Sequence, residues 1–177
     1  MEIAQAGLNK KIRINGIKLS AELVQVNLLD RFPPQDYRAL FFRLLAQNQI
    51  NIPFILVTCM GEKIQGSCCV AAEDANRVEK LVAMEPELKE NIEFIPAVGA
   101  LSMFPHHSKL KLLGLFFYLF GEARLSLYGM ASSISSLIFI TDYPQLDNAV
   151  STLLEYVDLP PNHTPFRQEI HVIQQKR

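Results

Sequence analysis

The sequence predicts an α+β protein built from two copies of one module, each a strand-helix-strand-strand-helix-strand unit whose helices cover one face of an antiparallel sheet. Three observations carry this. Phe32-Pro33 recurs as Phe104-Pro105 at an offset of 72, and Ile50-Asn51-Ile52 recurs as Leu125-Ser126-Leu127 at an offset of 75, which points to a doubled unit. Short β-branched and aromatic runs alternate with stretches of helical period. The 177 residues, 49% hydrophobic and 20% charged, suit a globular chain of two modules that are each marginal alone.

Along the chain, residues 1–11 carry little signal. Ile12 to Leu19 alternates in polarity around Asn15-Gly16, which reads as a tight hairpin or as a strand followed by a turn, with no partner identified. Leu23 to Leu29 is a strand ended by Asp30, Pro33 and Pro34. Tyr37, Leu40, Phe41, Leu44 and Leu45 follow the spacing of one helix face. Ile50 to Cys59 and Ile64 to Ala72 form a hairpin across Gly61-Glu62-Lys63. A second helix, capped by Asp74, carries Val78, Leu81 and Val82 until Pro86 ends or kinks it. The apolar segment Asn91 to Met103, interrupted by Pro96 and Gly99, closes the first module, opens the second, or does both, and the boundary is placed near Pro96, giving modules at 12–95 and 96–174.

The second module repeats the order. Ala97 to Met103 is its first strand, and Leu113, Phe116, Phe117 and Phe120 form the buried stripe of its first helix. Phe42, Gly114 and Tyr118 lie off the stripes, at positions suited to an interface between modules. Arg124 to Met130 and Leu137 to Thr141 make the second hairpin. Leu146, Ala149, Val150, Leu153, Leu154 and Val157 give the last helix the cleanest period in the chain, Pro160-Pro161 stops it, and Arg167 to Gln174 alternates as a final strand. This order is ferredoxin-like, and the opposite face of each sheet either meets solvent or is covered by sheet-to-sheet or helix-to-helix pairing of the modules.

The passage Ala97 to Ile140, with Leu125-Ser-Leu-Tyr-Gly-Met-Ala-Ser-Ser followed by Leu137-Ile-Phe-Ile, resembles the ACT regulatory domains, most closely those at the C-terminus of aspartokinases. Ile50-Asn51-Ile52 matches the opening of their strand after the helix, Met130-Ala131-Ser132-Ser133 matches their serine-rich segment, and Gly16-Ile17-Lys18-Leu19 resembles the lead-in to their first unit. The resemblance covers residues 16–174 and implies a tandem ACT protein without the kinase catalytic domain, free-standing or a detached regulatory subunit. It also leaves open a nested exchange of strands between the units.

What the resemblance implies about a site follows from its turns. In the family, an amino-acid effector meets backbone N–H groups where the first strand turns into its helix, because a helix N-terminus favours a carboxylate. The corresponding positions here are Asp30, Phe32, Gln35 and Asp36 in the first module and Phe104, His106, His107 and Ser108 in the second, with Met130, Ala131, Ser132 and Ser133 on the hairpin. Three residues depart from the pattern. Pro34 and His106 stand where the turn glycine is usual, and Ile134 replaces a glutamate. Pro34 removes a donor and His106 narrows the approach of a ligand to the backbone, so the fold carries over better than the ligand.

Other chemistry is sparse. His106-His107 reads best as turn residues facing water, since a metal ion wants three or four ligands and adjacent histidines point apart. Cys59, Cys68 and Cys69 lie on strands without Cys-x-x-Cys spacing, as small apolar fillers do. Ser132, Ser133, Ser135 and Ser136 either contact a ligand or form a hairpin turn. None of the Gly-x-Ser-x-Gly, Gly-x-x-x-x-Gly-Lys or Gly-x-Gly-x-x-Gly motifs is present, so the chain is not expected to be an enzyme and no cofactor or metal is implied. The net charge of −1 offers no global attraction to nucleic acid or membrane, and the central strands lack the basic and aromatic platform that RNA recognition uses. The absence of a leader segment and of a disulfide framework points to the cytoplasm. The expected function is that of an allosteric, homodimeric amino-acid-binding regulator acting with an enzyme partner; the alternative is a ligand-free dimerisation scaffold of the same fold.

Overall fold

The computed structural model describes residues 11–29, 37–60, 63–105 and 109–167. Its strands are β1 (Ile12–Leu19), β2 (Leu23–Leu28), β3 (Phe54–Met60), β4 (Lys63–Ala71), β5 (Ile92–Pro105), β6 (Gly129–Ser132), β7 (Leu137–Asp142) and β8 (Val157–Asp158). The helices are α1 (Tyr37–Gln47), α2 (Ala75–Met84), α3 (Pro86–Lys89), α4 (Lys109–Glu122) and α5 (Leu146–Leu154). All the strands join one eight-stranded sheet, in which β8 alone pairs parallel to its neighbour. The α+β class and the helix-covered antiparallel sheets are as the sequence predicts.

The sheet is organised around β5. Its first half pairs with β2, from Ile92 against Leu28 to Val98 against Leu23. Its second half pairs with β7 on one edge and with β1 on the other, Leu101 lying between Phe139 and Leu19. The first half of the molecule thus runs β3-β4-β2-β5, and the second runs β6-β7-β5-β1. Each has the strand order of a ferredoxin-like sheet, but the fourth strand of the second comes from β1, at the other end of the sequence.

Pro96 does not divide the strand: β5 is continuous across it, so residues 92–105 both close the first half and open the second, one of the readings the sequence left open. A bulge makes this possible: Leu23 and Gln25 on β2 oppose Val98 and Ile95, and Ala97 between them takes a φ of 53°. Nor does β1 sit with the first module. Ile14, Ile17 and Leu19 are buried in the core of the second half, with Phe116, Phe139 and Leu153. Asn15-Gly16 is a bulge rather than a hairpin turn, because the register against β5 shifts between Ile14 and Gly16. The extra residue lets Ile14 and Ile17, three apart, face the same core. The expected final strand lies outside the described residues beyond Arg167, whose guanidinium bonds Asp147 at 3.0 Å and the Tyr143 hydroxyl at 3.0 Å.

Two helical layers fill the outer faces. Tyr37, Phe41 and Leu45 of α1 and Val78 and Val82 of α2 bury against Val24, Val26, Cys68 and Val70. In the second half, Phe116 of α4 stacks on Phe120 and Phe139. Its buried stripe is Leu112, Leu115, Phe116, Leu119 and Phe120, while Phe117, expected inside, is exposed. The helix is turned by about one position because it is apolar nearly all round, so period alone does not choose the face. At Gly99 the chain that opens α5 presses on the strand: a Cβ there would stand 2.5 Å from Leu146 Cδ1 and 3.1 Å from Tyr143 Cδ2.

The helix-free faces of the two halves meet in a third cluster of Leu23, Phe54, Cys69, Val98 and Ile140. Alternation along β4 sends Cys68 to the helices and Cys69 to this junction. The second hairpin is shorter than expected. Residues 125–128 approach β7 through the Tyr128 N–H to Ile140 O bond, and regular pairing begins at Gly129.

The role of β1 is open to a direct test. Ile17→Ala removes a side chain 1% exposed in the second core and is expected to cost about 2–5 kcal/mol. Hydrogen exchange should show lost protection in β7, α4 and α5 while α1 and α2 keep theirs. Uniform loss, or loss confined to α1 and α2, would contradict the pairing.

Candidate functional site

Phe104 and the 130–133 segment come to the same end of the second half-sheet. Ser132 is in register with Leu137, and Leu137 with Met103, so the three lie in one row across β6, β7 and β5, about 10 Å wide. Phe104 is the next residue on β5, half-buried opposite Gly16, and α4 begins at Lys109. His106, His107 and Ser108, between strand and helix, lie outside the described residues.

The four hairpin residues differ in their surroundings. Met130 rests on the second core and Ala131 on the junction cluster, so neither presents its side chain freely. Ser132 is exposed. The Ser133 backbone N–H donates to Ser136 O at 2.9 Å, its hydroxyl lies 2.9 Å from that of Ser136, and it accepts from the Ser136 N–H at 3.2 Å. Ser133 therefore closes the turn, while Ser132 and Ser135 are exposed. Ile134 at the tip is 99% exposed.

The other predicted turn is at the opposite end of β5. Asp30, Phe32, Gln35 and Asp36 lie outside the described residues, but their flanks are placed. The Leu29 N–H donates to Asn91 O at 2.8 Å, and the Tyr37 hydroxyl donates to Leu29 O at 2.6 Å, tying the start of α1 to the end of β2. The flanks of the two turns are thus separated by the length of a 14-residue strand, about 45 Å along the backbone.

A polar group that sequence reasoning did not single out lies between the halves. Gln25 is 2% exposed, its Nε2 donating to Asn27 Oδ1 at 2.8 Å and to Tyr128 O at 3.3 Å, while its Oε1 has no partner. Nearby, the Tyr128 hydroxyl donates to Asp142 Oδ1 at 2.7 Å, and Thr141 Oγ1 donates to Ser126 O at 2.6 Å. The bond to Asp142 is the main cause that raises the Tyr128 pKa. The signal was an amide in the otherwise apolar run Leu23-Val24-Gln25-Val26. Among the described residues, no group of three His, Cys, Asp or Glu side chains is placed to hold a metal ion.

The fold is similar to that of the solved aspartokinase regulatory domains. The regulatory subunit of aspartate kinase from Thermus thermophilus, in its ligand-free form, superposes with a TM-score of 0.67 at 18% identity, covering 82% of this chain and 99% of that one. The aspartokinase alpha and beta subunits give 0.69 at 14% identity, over 81% of this chain and 97% of theirs. Aspartokinase III of E. coli, in complex with lysine and aspartate, gives 0.55 at 12% identity, over 83% of this chain and 33% of that one. No protein-family model and no curated protein matches the sequence. No described helix is long and apolar enough to cross a membrane.

Burial pushes the Cys68 and Cys69 thiols up from 9.0 to about 12, with the neighbouring Cys69 adding to the shift at Cys68. Folding therefore favours their neutral forms. The stability this contributes is complete below pH 9 and is lost as pH rises from about 9 towards 12. Melting temperature should fall across that window, and less steeply in Cys68→Ala/Cys69→Ala. A thiol reagent at pH 8, mapped by mass spectrometry, should leave both unmodified until the protein is unfolded. Rapid labelling of either in the native state would contradict their burial.

Proposed function

We propose that this chain is a regulatory unit of aspartokinase type that binds an amino acid and passes the binding on to an enzyme partner. The observation that supports the reading is that the superposition covers 99% of a separate regulatory subunit, at 18% identity. The complex of aspartokinase III with lysine and aspartate makes amino acids the effectors to try, lysine first. The unit is read as two modules sharing β5, residues 23–95 forming one and residues 96–158 with β1 the other. It works in the cytoplasm, as a homodimer or beside a catalytic chain.

In this reading the effector's carboxylate meets the open N–H groups at the start of α4, where the helix dipole favours negative charge. Phe104 and the Ser132 hydroxyl border the same end of the sheet. His106, His107 and Ser108 complete this site. Asp30, Phe32, Gln35 and Asp36 form the equivalent one before α1. Regulation requires that the effector bind one arrangement of the two halves more tightly than another.

Calorimetry and thermal shift against the proteinogenic amino acids test this. At 100 times its dissociation constant an effector adds about 2.7 kcal/mol of stability, a rise of several degrees. Ser132→Ala should raise the dissociation constant about tenfold without changing the melting temperature of the free chain. No heat and no shift with any amino acid would refute the effector reading.

A further inference from the structure

The chain that follows β8 runs beside the outer edge of β1 without becoming a strand. Regular pairing on that edge covers only Ile12 with Val157 and Arg13 with Asp158. The chain comes back to β1 at its far end, where the Leu19 N–H donates to Phe166 O at 2.8 Å. It takes ten steps, from Tyr156 to Phe166, to pass the seven from Ile12 to Leu19. The excess is looped out at Pro160-Pro161 and in a turn closed by the His163 N–H to Pro160 O bond at 3.1 Å. Pro160, Pro161 and Pro165 have no N–H to give to a ladder. Residues 159–167 are therefore a strap across the edge of the sheet, not a part of it.

The strap is held by a short set of local contacts. Leu159 and Phe166 rest half-buried on the second core, and the His163 ring stacks on Phe166 with centroids 5.3 Å apart. Lys18 Nζ donates to Pro165 O at 3.1 Å. At the end of the strap the Arg167 guanidinium donates to both Asp147 carboxylate oxygens, at 3.0 and 3.1 Å, and to the Tyr143 hydroxyl at 3.0 Å. It also lies 5.3 Å from the centre of the Tyr143 ring. The Asp147 side chain is 77% exposed, and an ion pair this open to water holds weakly. By contrast, the neighbouring Ser20 N–H donates into the sheet, to Ala100 O at 3.0 Å. A segment with so few buried contacts opens at a lower free energy than the strand beside it.

The clasp also touches the strand that the two halves share. Tyr143 lies against Gly99 of β5, where a Cβ would stand 3.1 Å from its Cδ2. Gly99 follows Val98 of the junction cluster and, two residues back, the bulge at Ala97. We propose that residues 159–167 open and close as one unit while the sheet stays intact, and that the closed strap, through Arg167, holds Tyr143 against β5 beside the bulge that joins the halves. The end of the described chain is then a latch on the junction, and the inference stands whether or not an effector binds.

The test is amide hydrogen exchange of the full chain, read residue by residue by NMR. In the wild type the Leu19 amide should exchange about tenfold faster than that of Ser20. Arg167→Ala should speed Leu19 about fivefold further, speed the paired Gly99 and Thr141 amides about threefold, and leave Ser20 unchanged. Arg167→Asp should do the same, and adding Asp147→Arg to it should restore the wild-type rates, which a merely misfolded chain would not do. Leu19 and Ser20 exchanging together would overturn the strap as a separate unit. A Leu19 rate indifferent to Arg167→Ala would overturn the clasp, and a change that spares Gly99 and Thr141 would overturn its hold on the shared strand.

Discussion

The structure depends on the backbone hydrogen bonds of β5. Its 14 residues are paired by β2 in one half, by β1 and β7 in the other, and the polypeptide cannot separate the halves without exposing that ladder. Unpaired amides in a buried strand are costly, so the two helix-covered sheets behave as a joined pair. The bulge at Ala97 reconciles the continuous strand with two cores that face different ways. Around that bend the helix-free faces close on each other through Leu23, Phe54, Cys69, Val98 and Ile140. This junction is where Gln25 carries its unpartnered carbonyl, and it is the place where a change in the angle between the halves would be felt.

Much of this was legible because periodicity records local geometry. The helical spacing of Tyr37, Phe41 and Leu45 and of Leu146, Ala149, Val150 and Leu153 marks residues that are all buried in their helices. The hairpins and the strand order within each half followed from turn residues between β-branched runs. Pro86 closed α2 as expected and opened a further single turn, α3, where its fixed φ suits a first helical position.

What the sequence concealed was non-local. Pro96 suggested a boundary, yet at a bulge a proline's missing N–H does not interrupt the ladder, and β5 runs through it. Asn15-Gly16 suggested a turn because bulges and turns draw on the same residue types. The partner of β1 lies about 85 positions further along the chain, beyond the reach of any local pattern. On α4 the run Leu112 to Phe120 is so uniformly apolar that its inner face is decided by packing on Phe139 and Leu101, not by period. For the candidate site, the sequence named Phe104 and the 130–133 segment separately, and the strand register sets Ser132 in a row with Leu137 and Met103, the neighbour of Phe104. That Ser133 would be consumed by its own turn depended on the hairpin closing at Ser136, a detail of two bonds.

Sharing strands between distant segments also sets an order of assembly. As the chain leaves the ribosome, β1 emerges first, but its partners Ala97 to Pro105 follow after some 80 further residues and the helices that cover it later still. In that interval residues 23–95 can gather their own core around Val26, Phe41 and Val78, while Ile14, Ile17 and Leu19 stay uncovered. Contacts of such long separation form slowly, and an apolar strand waiting for its sheet is open to capture by another nascent copy or by a chaperone. The nested topology therefore gives the finished molecule cohesion between its halves at the expense of a delay in synthesis, and the yield of folded protein should depend on how that first strand is sheltered.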